Sequence, residues 1–428
     1  MSGDRSRSLF EKAKEVFPGG VNSPIRGAVK PWPFFAEKSE GAYIYTVDGA
    51  RLADYVLAYG PLILGHRHPE VEKAIADQVS RGWLFASPSD VEVALAREIL
   101  RHVKPGGMVR FVNSGTEATM TAVRLARGVT GRDLIVKFDG CYHGSHDYVL
   151  VSAGSAATHF GVPTSSGIPA SVSRLTLVAR FNDVSGLEQL FENYGNDIAA
   201  VIVEPVIANS GVIPPKREFL TALRRLTSSY GSLLIFDEVV TGFRLGLGGA
   251  QEYYGVYGDI VVLGKIIGGG LPIGAVVSSR EIMSNLTPSG RVFNAGTFNA
   301  HPLSMAAGLA TLRVLEREPV YRIAREAAKS IEDNLREVLD SIGTSYAVSR
   351  VESILQFYVG VDVVEEASHA RRANHKLYGL IHEKLLAKGV FITPSNMEAI
   401  FTGLPHEGEV LDNTVEAFRS TIREVMRH

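Results

Sequence analysis

The chain of 428 residues contains a single cysteine, Cys141. It can form no intrachain disulfide and cannot by itself build a structural zinc site, so a reducing compartment, the cytoplasm, is the expectation. An excess of one charge is also missing. Lys and Arg total 44 against 46 Asp and Glu, a formal net charge of −2, and without a basic field nucleic acid is not an expected partner. Long apolar runs are absent too. The nearest approach, residues 260–277, is broken by Lys265, Pro272 and five glycines, whereas a spanning helix needs ~20 mostly apolar residues. The opening MSGDRSRSLFEKAKEVF scatters charges among its apolar residues and has no secretory h-region. Neither a membrane nor secretion is expected.

Hydrophobic residues make up 45% of the chain and charged residues 21%, which excludes a disordered chain, and the length calls for two or three packed units. Ser8-x-x-Glu11 reads as a capping box opening a helix from Leu9 to Phe17, stopped by Pro18-Gly19-Gly20. YIYTV, Asp48-Gly49 and ARLADYV read as a β-hairpin with a type I′ turn. From Pro69 two helices follow, the second opened by Pro88-Ser89-Asp90. The runs at 134–138, 199–206, 233–240 and 259–265 are continuous in Val, Ile and Leu, the signature of parallel strands buried on both faces. After Leu303 come two helices, strands near 355–361 and 390–393, and a last helix from Val410 to Met426. The expected fold class is therefore α/β. Its expected divisions are 1–68 (N-terminal helix and hairpin), 69–303 (large α/β domain) and 304–428 (small α+β domain). Residues 152–173, dense in Ser, Ala, Gly, Thr and Pro, read as a mobile loop or lid.

In a parallel sheet, ligands gather at the carboxyl ends of the strands, so polar residues that end apolar runs are the candidates. Asn113-Ser114-Gly115-Thr116 precedes a helix and can either cap it or present backbone N–H groups and the positive end of the dipole to a phosphate. Glu204 ends AVIV. Asp237 ends LLIF, where a buried anion needs a cationic partner or a protonated ring nitrogen; it can equally serve as a turn residue. Lys265 lies between Leu263-Gly264 and a glycine run, where desolvation would lower its pKa and make it nucleophilic; a plain surface lysine is the other reading. Cys141, His143, His146 and Asp147 have metal-ligand chemistry, yet seven consecutive loop residues seldom converge on one ion, so no metal is expected and Tyr142 is better used as an aromatic plate. An anion cradle, an aromatic plate, a buried carboxylate and a lysine together form the set that pyridoxal phosphate requires.

NSGTEA (113–118), DEVVTGFR (237–244) and GKIIGGGLPIGA (264–275) resemble the fold-type I, class III aminotransferase family, a resemblance that covers nearly the whole chain. It implies a mostly parallel central sheet flanked by helices, a smaller α+β domain, and pyridoxal 5′-phosphate or pyridoxamine 5′-phosphate as cofactor. By this resemblance Lys265 carries the covalent link to the cofactor, Asp237 partners its ring nitrogen, Tyr142 stacks on the ring, and Ser114, Gly115 and Thr116 hold the phosphate. Thr297 completes that cradle from a neighbouring subunit, implying a homodimer. His143, Val239 and Asn209 are further cofactor contacts, Ser23 and Arg26 bind the substrate carboxylate, and Glu398 acts at the substrate. GGVNSPIRG (19–27), YGPLILGHRHP (59–69), EPVIANSG (204–211) and GTFNAHPLSMAAG (296–308) narrow the resemblance to members that move an amino group within one substrate. In those members glutamate-1-semialdehyde becomes 5-aminolevulinate for tetrapyrrole synthesis, an isomerase activity. A two-substrate ω-aminotransferase and a metal-binding hydrolase are the alternatives. Tyr59 stands where tryptophan is expected, Gly27-Ala28 follow Arg26 where Ala-Phe is common, and GLPHEGEV (403–410) departs from the family pattern.

Overall fold

The structure, a computed structural model, describes residues 3–152 and 162–427. Seven strands form the central sheet, in the spatial order Met108–Val112, Gly274–Ser278, Ile260–Gly264, Leu233–Asp237, Ile198–Val203, Leu134–Phe138, Thr176–Ala179. All run in one direction except Gly274–Ser278. Every residue of Ile198–Val203 is buried, as a strand covered on both faces demands. On one face the helix Gly115–Thr130 packs Ala118, Ala122 and Val123 against Ile135, Ile202 and Ile235. On the other, helices Val184–Tyr194 and Arg217–Tyr230 pack Leu187, Phe191, Phe219 and Leu223 against Val136, Val201 and Val203. The shared strand direction brings Asn113, Glu204, Asp237 and Lys265 to one edge of the sheet.

A second core joins the two ends of the chain. Strands Ala36–Glu40, Tyr43–Thr46 and Arg51–Asp54 form a sheet completed by Val390–Phe391, which runs parallel to Arg51–Asp54. A further sheet holds Tyr346–Val351, Ile354–Val359 and Ile400–Phe401. Ala53 and Tyr55 share a core with Leu335, Val338, Phe357, Ile381 and Phe418 from the C-terminal strands and helices. The helix Pro302–Arg317 packs instead on Pro69–Arg81 and Asp90–His102, beside the central sheet.

Two local expectations need correction. The first helix spans Asp4–Val16, so Ser8 lies inside it and caps nothing. Its start is fixed from far along the chain, where Asp48 accepts from Arg5 N at 3.0 Å and from the Ser6 hydroxyl. The hairpin forms, but only Gly49 (φ 83°) is left-handed at its tip, not Asp48, so the turn is not type I′. The proposed lid at 152–173 begins in a short ribbon, Val151–Ser152 against Val162–Pro163, and includes a helical turn at Ala170–Ser173; its residues 153–161 lie outside those described. No helix among the described residues is long and apolar enough to cross a membrane.

Candidate active site

A cavity of about 230 Å³ opens at the carboxyl edge of the central sheet, lined by Ser114, Gly115, Thr116, Tyr142, His143, Glu204, Asn209, Asp237, Val239 and Lys265 among others. Lys265 follows the strand Ile260–Gly264 directly and takes a left-handed conformation, φ 48°. That is a sparsely populated state for a residue with a Cβ, costing on the order of 1–3 kcal/mol, of the kind found at functional sites. Among the described residues its amine makes no hydrogen bond or ion pair. Burial lowers its pKa; Glu204, Glu398 and Asp237 oppose that shift, and the positive charge of Arg244 adds to it. The lowered pKa favours the neutral, nucleophilic form of the amine.

Asp237 ends its strand only 4% exposed. One carboxylate oxygen lies 2.7 Å from His143 Nδ1 and the other accepts from Val239 N at 3.2 Å. His143 is buried, and burial lowers its pKa against the raising effect of the Asp237 hydrogen bond. Both oxygens of the buried carboxylate are thus in hydrogen-bond contact.

The anion cradle is built where the strand Met108–Val112 turns into the helix Gly115–Thr130. Ser114 is the N-cap and accepts from Glu117 N at 3.1 Å, while Thr116 Oγ1 accepts from Ser145 N at 3.2 Å. A Cβ on Gly115 would meet Val239 at 3.2 Å, and one on Gly144 would meet Thr116 Oγ1 at 2.5 Å. The glycines thus let two backbone segments close around the first, unpaired N–H groups of the helix. Tyr142, 51% exposed, presents its ring at the opening.

Sequence reasoning noticed Glu204 as a strand-end residue and gave it no task. The structure buries it at the centre of the site. Its oxygens accept from Tyr142 N at 2.7 Å, Ala208 N at 3.2 Å and Asn209 Nδ2 at 2.9 Å. One carboxylate therefore positions both Tyr142 and Asn209. Burial, with the nearby Asp237 charge, raises its pKa from 4.5 to about 8. The folded protein thus holds this proton more tightly than the unfolded chain. The stabilisation is complete below about 4.5 and is lost as pH rises through about 8. Thermal melts between about pH 5 and 8 should show Tm falling with pH, and Glu204→Gln, which cannot ionise, should flatten that fall. Parallel slopes in the two proteins would show that Glu204 does not titrate in this window.

The class-III aminotransferase family model matches residues 25–422. The chain belongs to that family. A glutamate-1-semialdehyde 2,1-aminomutase from Aeropyrum pernix is 65% identical over 425 residues, 99% of each chain. Among solved structures, an omega-transaminase from Sphaerobacter thermophilus is 35% identical with a TM-score of 0.89, covering 98% of this chain and 97% of that one. A glutamate-1-semialdehyde-aminomutase from Pseudomonas aeruginosa PAO1 in complex with PMP is 26% identical with a TM-score of 0.90, covering 99% and 95%.

In this class-III aminotransferase the remaining candidates lie outside the cavity lining. Ser23 immediately precedes the short turn Pro24–Ala28 without capping it through its side chain, and the turn carries an exposed Arg26 whose guanidinium has no ion pair or hydrogen bond among the described residues. Glu398 faces Lys265; burial raises its carboxyl to about 7, and the lysine charge pulls the other way. Tyr59 is coupled to both groups: burial and the Glu398 charge raise its pKa, and Arg26 lowers it. Thr297 is exposed and is not among the residues that line the cavity. The cluster Cys141, His143, His146 and Asp147 does not converge: among the described residues the group with metal-ligand spacing is Glu98, His102 and Glu316, and Arg101 already pairs with both of its carboxylates.

Proposed function

We propose that this chain converts glutamate-1-semialdehyde to 5-aminolevulinate, moving the amino group within one substrate, in tetrapyrrole synthesis. Its cofactor forms are pyridoxal 5′-phosphate and pyridoxamine 5′-phosphate. The observation that carries the reading is a single cavity uniting an unpartnered lysine amine, a buried carboxylate and a helix N-terminus, in a chain 65% identical to a named aminomutase. When bound, the cofactor supplies a ring that accepts the electron pair left on a carbon that has lost its proton.

The residues present fit that group. Ser114, Gly115 and Thr116 would hold the phosphate on backbone donors. Asp237, oriented by His143, would hold a proton at the ring nitrogen, and Val239 and Tyr142 would supply apolar and aromatic contacts to the ring. Asn209, positioned by Glu204, would stand at the cofactor's phenolic oxygen. Lys265 would carry the covalent link to the cofactor and serve as the acid and base that moves a proton, a role worth ~10²–10⁴-fold. Glu398, with its carboxyl at about 7, can give or take a proton near neutral pH, and Arg26 with Ser23 holds the substrate carboxylate.

A second copy of the chain completes the site through Thr297. This is supported by the flanking Phe293 and Phe298, 66% and 54% exposed, which a partner surface would cover. The setting is cytoplasmic, consistent with one buried, unpaired cysteine. Purified protein given glutamate semialdehyde and no amino donor should form 5-aminolevulinate. Turnover that requires an added donor and yields a keto acid would favour the two-substrate aminotransferase instead, and a monomer by sedimentation would remove the shared site.

A further inference from the structure

Arg244, at the end of the DEVVTGFR motif, is among the largest fully buried side chains, and among the described residues no carboxylate pairs with it. Burial pulls its pKa down to about 9, which leaves it charged at neutral pH. An unpaired buried cation is costly and is poorly explained as a stabilising device. Its contacts indicate another use. Nη2 donates to Gly60 O, while Nη1 donates to Thr402 O at 3.1 Å and to Ser353 Oγ at 3.2 Å; the guanidinium also sits 5.0 Å from the Phe401 ring centroid. These acceptors belong to three segments distant in sequence.

Gly60 closes an unusual turn. Leu57, Ala58, Tyr59 and Gly60 are left-handed in succession, with φ of 47°, 55°, 65° and 114°. At its entrance Asp54 Oδ1 accepts from Val56 N at 2.9 Å and Leu57 N at 3.0 Å; at its exit Arg244 holds Gly60 O. The turn walls Lys265: a Cβ at Gly60 would sit 3.6 Å from Lys265 Cδ and 3.4 Å from Phe401. It also carries Tyr59, which is coupled to Glu398 and Arg26.

We infer that Arg244 is a positioning residue for Lys265: through Gly60 it locks the left-handed turn against the lysine side chain, and it keeps an uncompensated positive charge near the amine. The inference rests on the proposed role of Lys265. The groups acting on that amine are Glu204, Glu398 and Asp237, which favour its charged form, and Arg244, which disfavours it. Burial, the largest influence, remains when Arg244 is removed, but of the charged groups only the three carboxylates are left.

The test uses the full chain freed of cofactor. Amine acylation of the Lys265 peptide is followed by mass spectrometry against pH, and amide exchange is followed across 56–62. Arg244→Gln should move the labelling midpoint to higher pH and speed exchange of the turn about tenfold. Arg244→Lys keeps the charge but cannot span three acceptors, so it should hold the midpoint near the native value and still speed exchange; it serves alone if the glutamine variant does not fold. An unchanged midpoint in Arg244→Gln, or native exchange of the turn in both variants, overturns the inference. Borohydride reduction of the cofactor-loaded native protein checks the parent reading separately. Attachment to another lysine would sink the role of Lys265 while leaving the measured effects of Arg244 as they stand.

Discussion

Lys265→Ala should lower kcat on the order of 10⁴-fold, the upper end of what a positioned acid and base contributes, while the fold and phosphate binding survive. The reason is geometric. Ser114, Gly115 and Thr116 belong to a helix N-terminus built independently of residue 265, so the anion cradle remains when the amine is gone. The amine has no substitute: Lys137, the other buried lysine, donates to Val149 O at 2.8 Å and Val151 O at 3.3 Å and is occupied there. In the native protein, borohydride should add the cofactor mass to the Lys265 peptide; in the variant, cofactor should be retained without covalent attachment. A small primary amine added to the variant should restore part of the rate, because the lost side chain vacates the space beside Gly60. Turnover within tenfold of the native protein would end the assignment.

Much of the fold could be read from residues that are buried on both sides. The run AAVIVEPV announced the strand Ile198–Val203, and LLIFDEVV announced Leu233–Asp237, because a strand between two helical layers has no solvent face to mark with polar residues. The direction of Gly274–Ser278 was not read, although a signal existed. Only residues 265–273 link it to Ile260–Gly264, fewer than the dozen or so that a parallel crossover needs, so the strand must reverse. The first helix was misplaced for a different reason: a capping box is local, whereas the helix start is set by Asp48, some forty residues away.

The site divides in the same way. Ser114, Asp237 and Lys265 were visible because each is a polar residue ending an apolar strand, a one-dimensional signal of a sheet edge. Glu204 carries the same signal, and its task was missed because hydrogen bonds to Tyr142 N and Asn209 Nδ2 depend on how two loops return to the edge. Arg244 gave no such sign. Its acceptors come from residues 60, 353 and 402, and only the joining of the N-terminal turn to the C-terminal sheet brings them together.

Asp237→Asn isolates the charge from the shape. The amide is nearly isosteric with the carboxylate, so the strand end and cavity should keep their form, and cofactor stoichiometry should stay native. What changes is the hydrogen-bond pattern. The carboxylate accepts from Val239 N with one oxygen and lies 2.7 Å from His143 Nδ1 with the other. An amide has one acceptor and one donor end, so one of these contacts becomes donor against donor unless His143 changes tautomer. More important, a neutral amide cannot balance a proton on the ring nitrogen, and the ring loses its capacity to accept electrons from the substrate carbon. The removal of one preorganised electrostatic group costs ~10²–10³ in kcat. KM should change little, since Arg26 and Ser23 stand outside the cavity lining. Asp237→Glu keeps the charge but pushes it one methylene too far into a buried site, and should fall between the native protein and the asparagine variant. If the asparagine variant turns over within about threefold of native, the charge at this strand end is not what drives the chemistry.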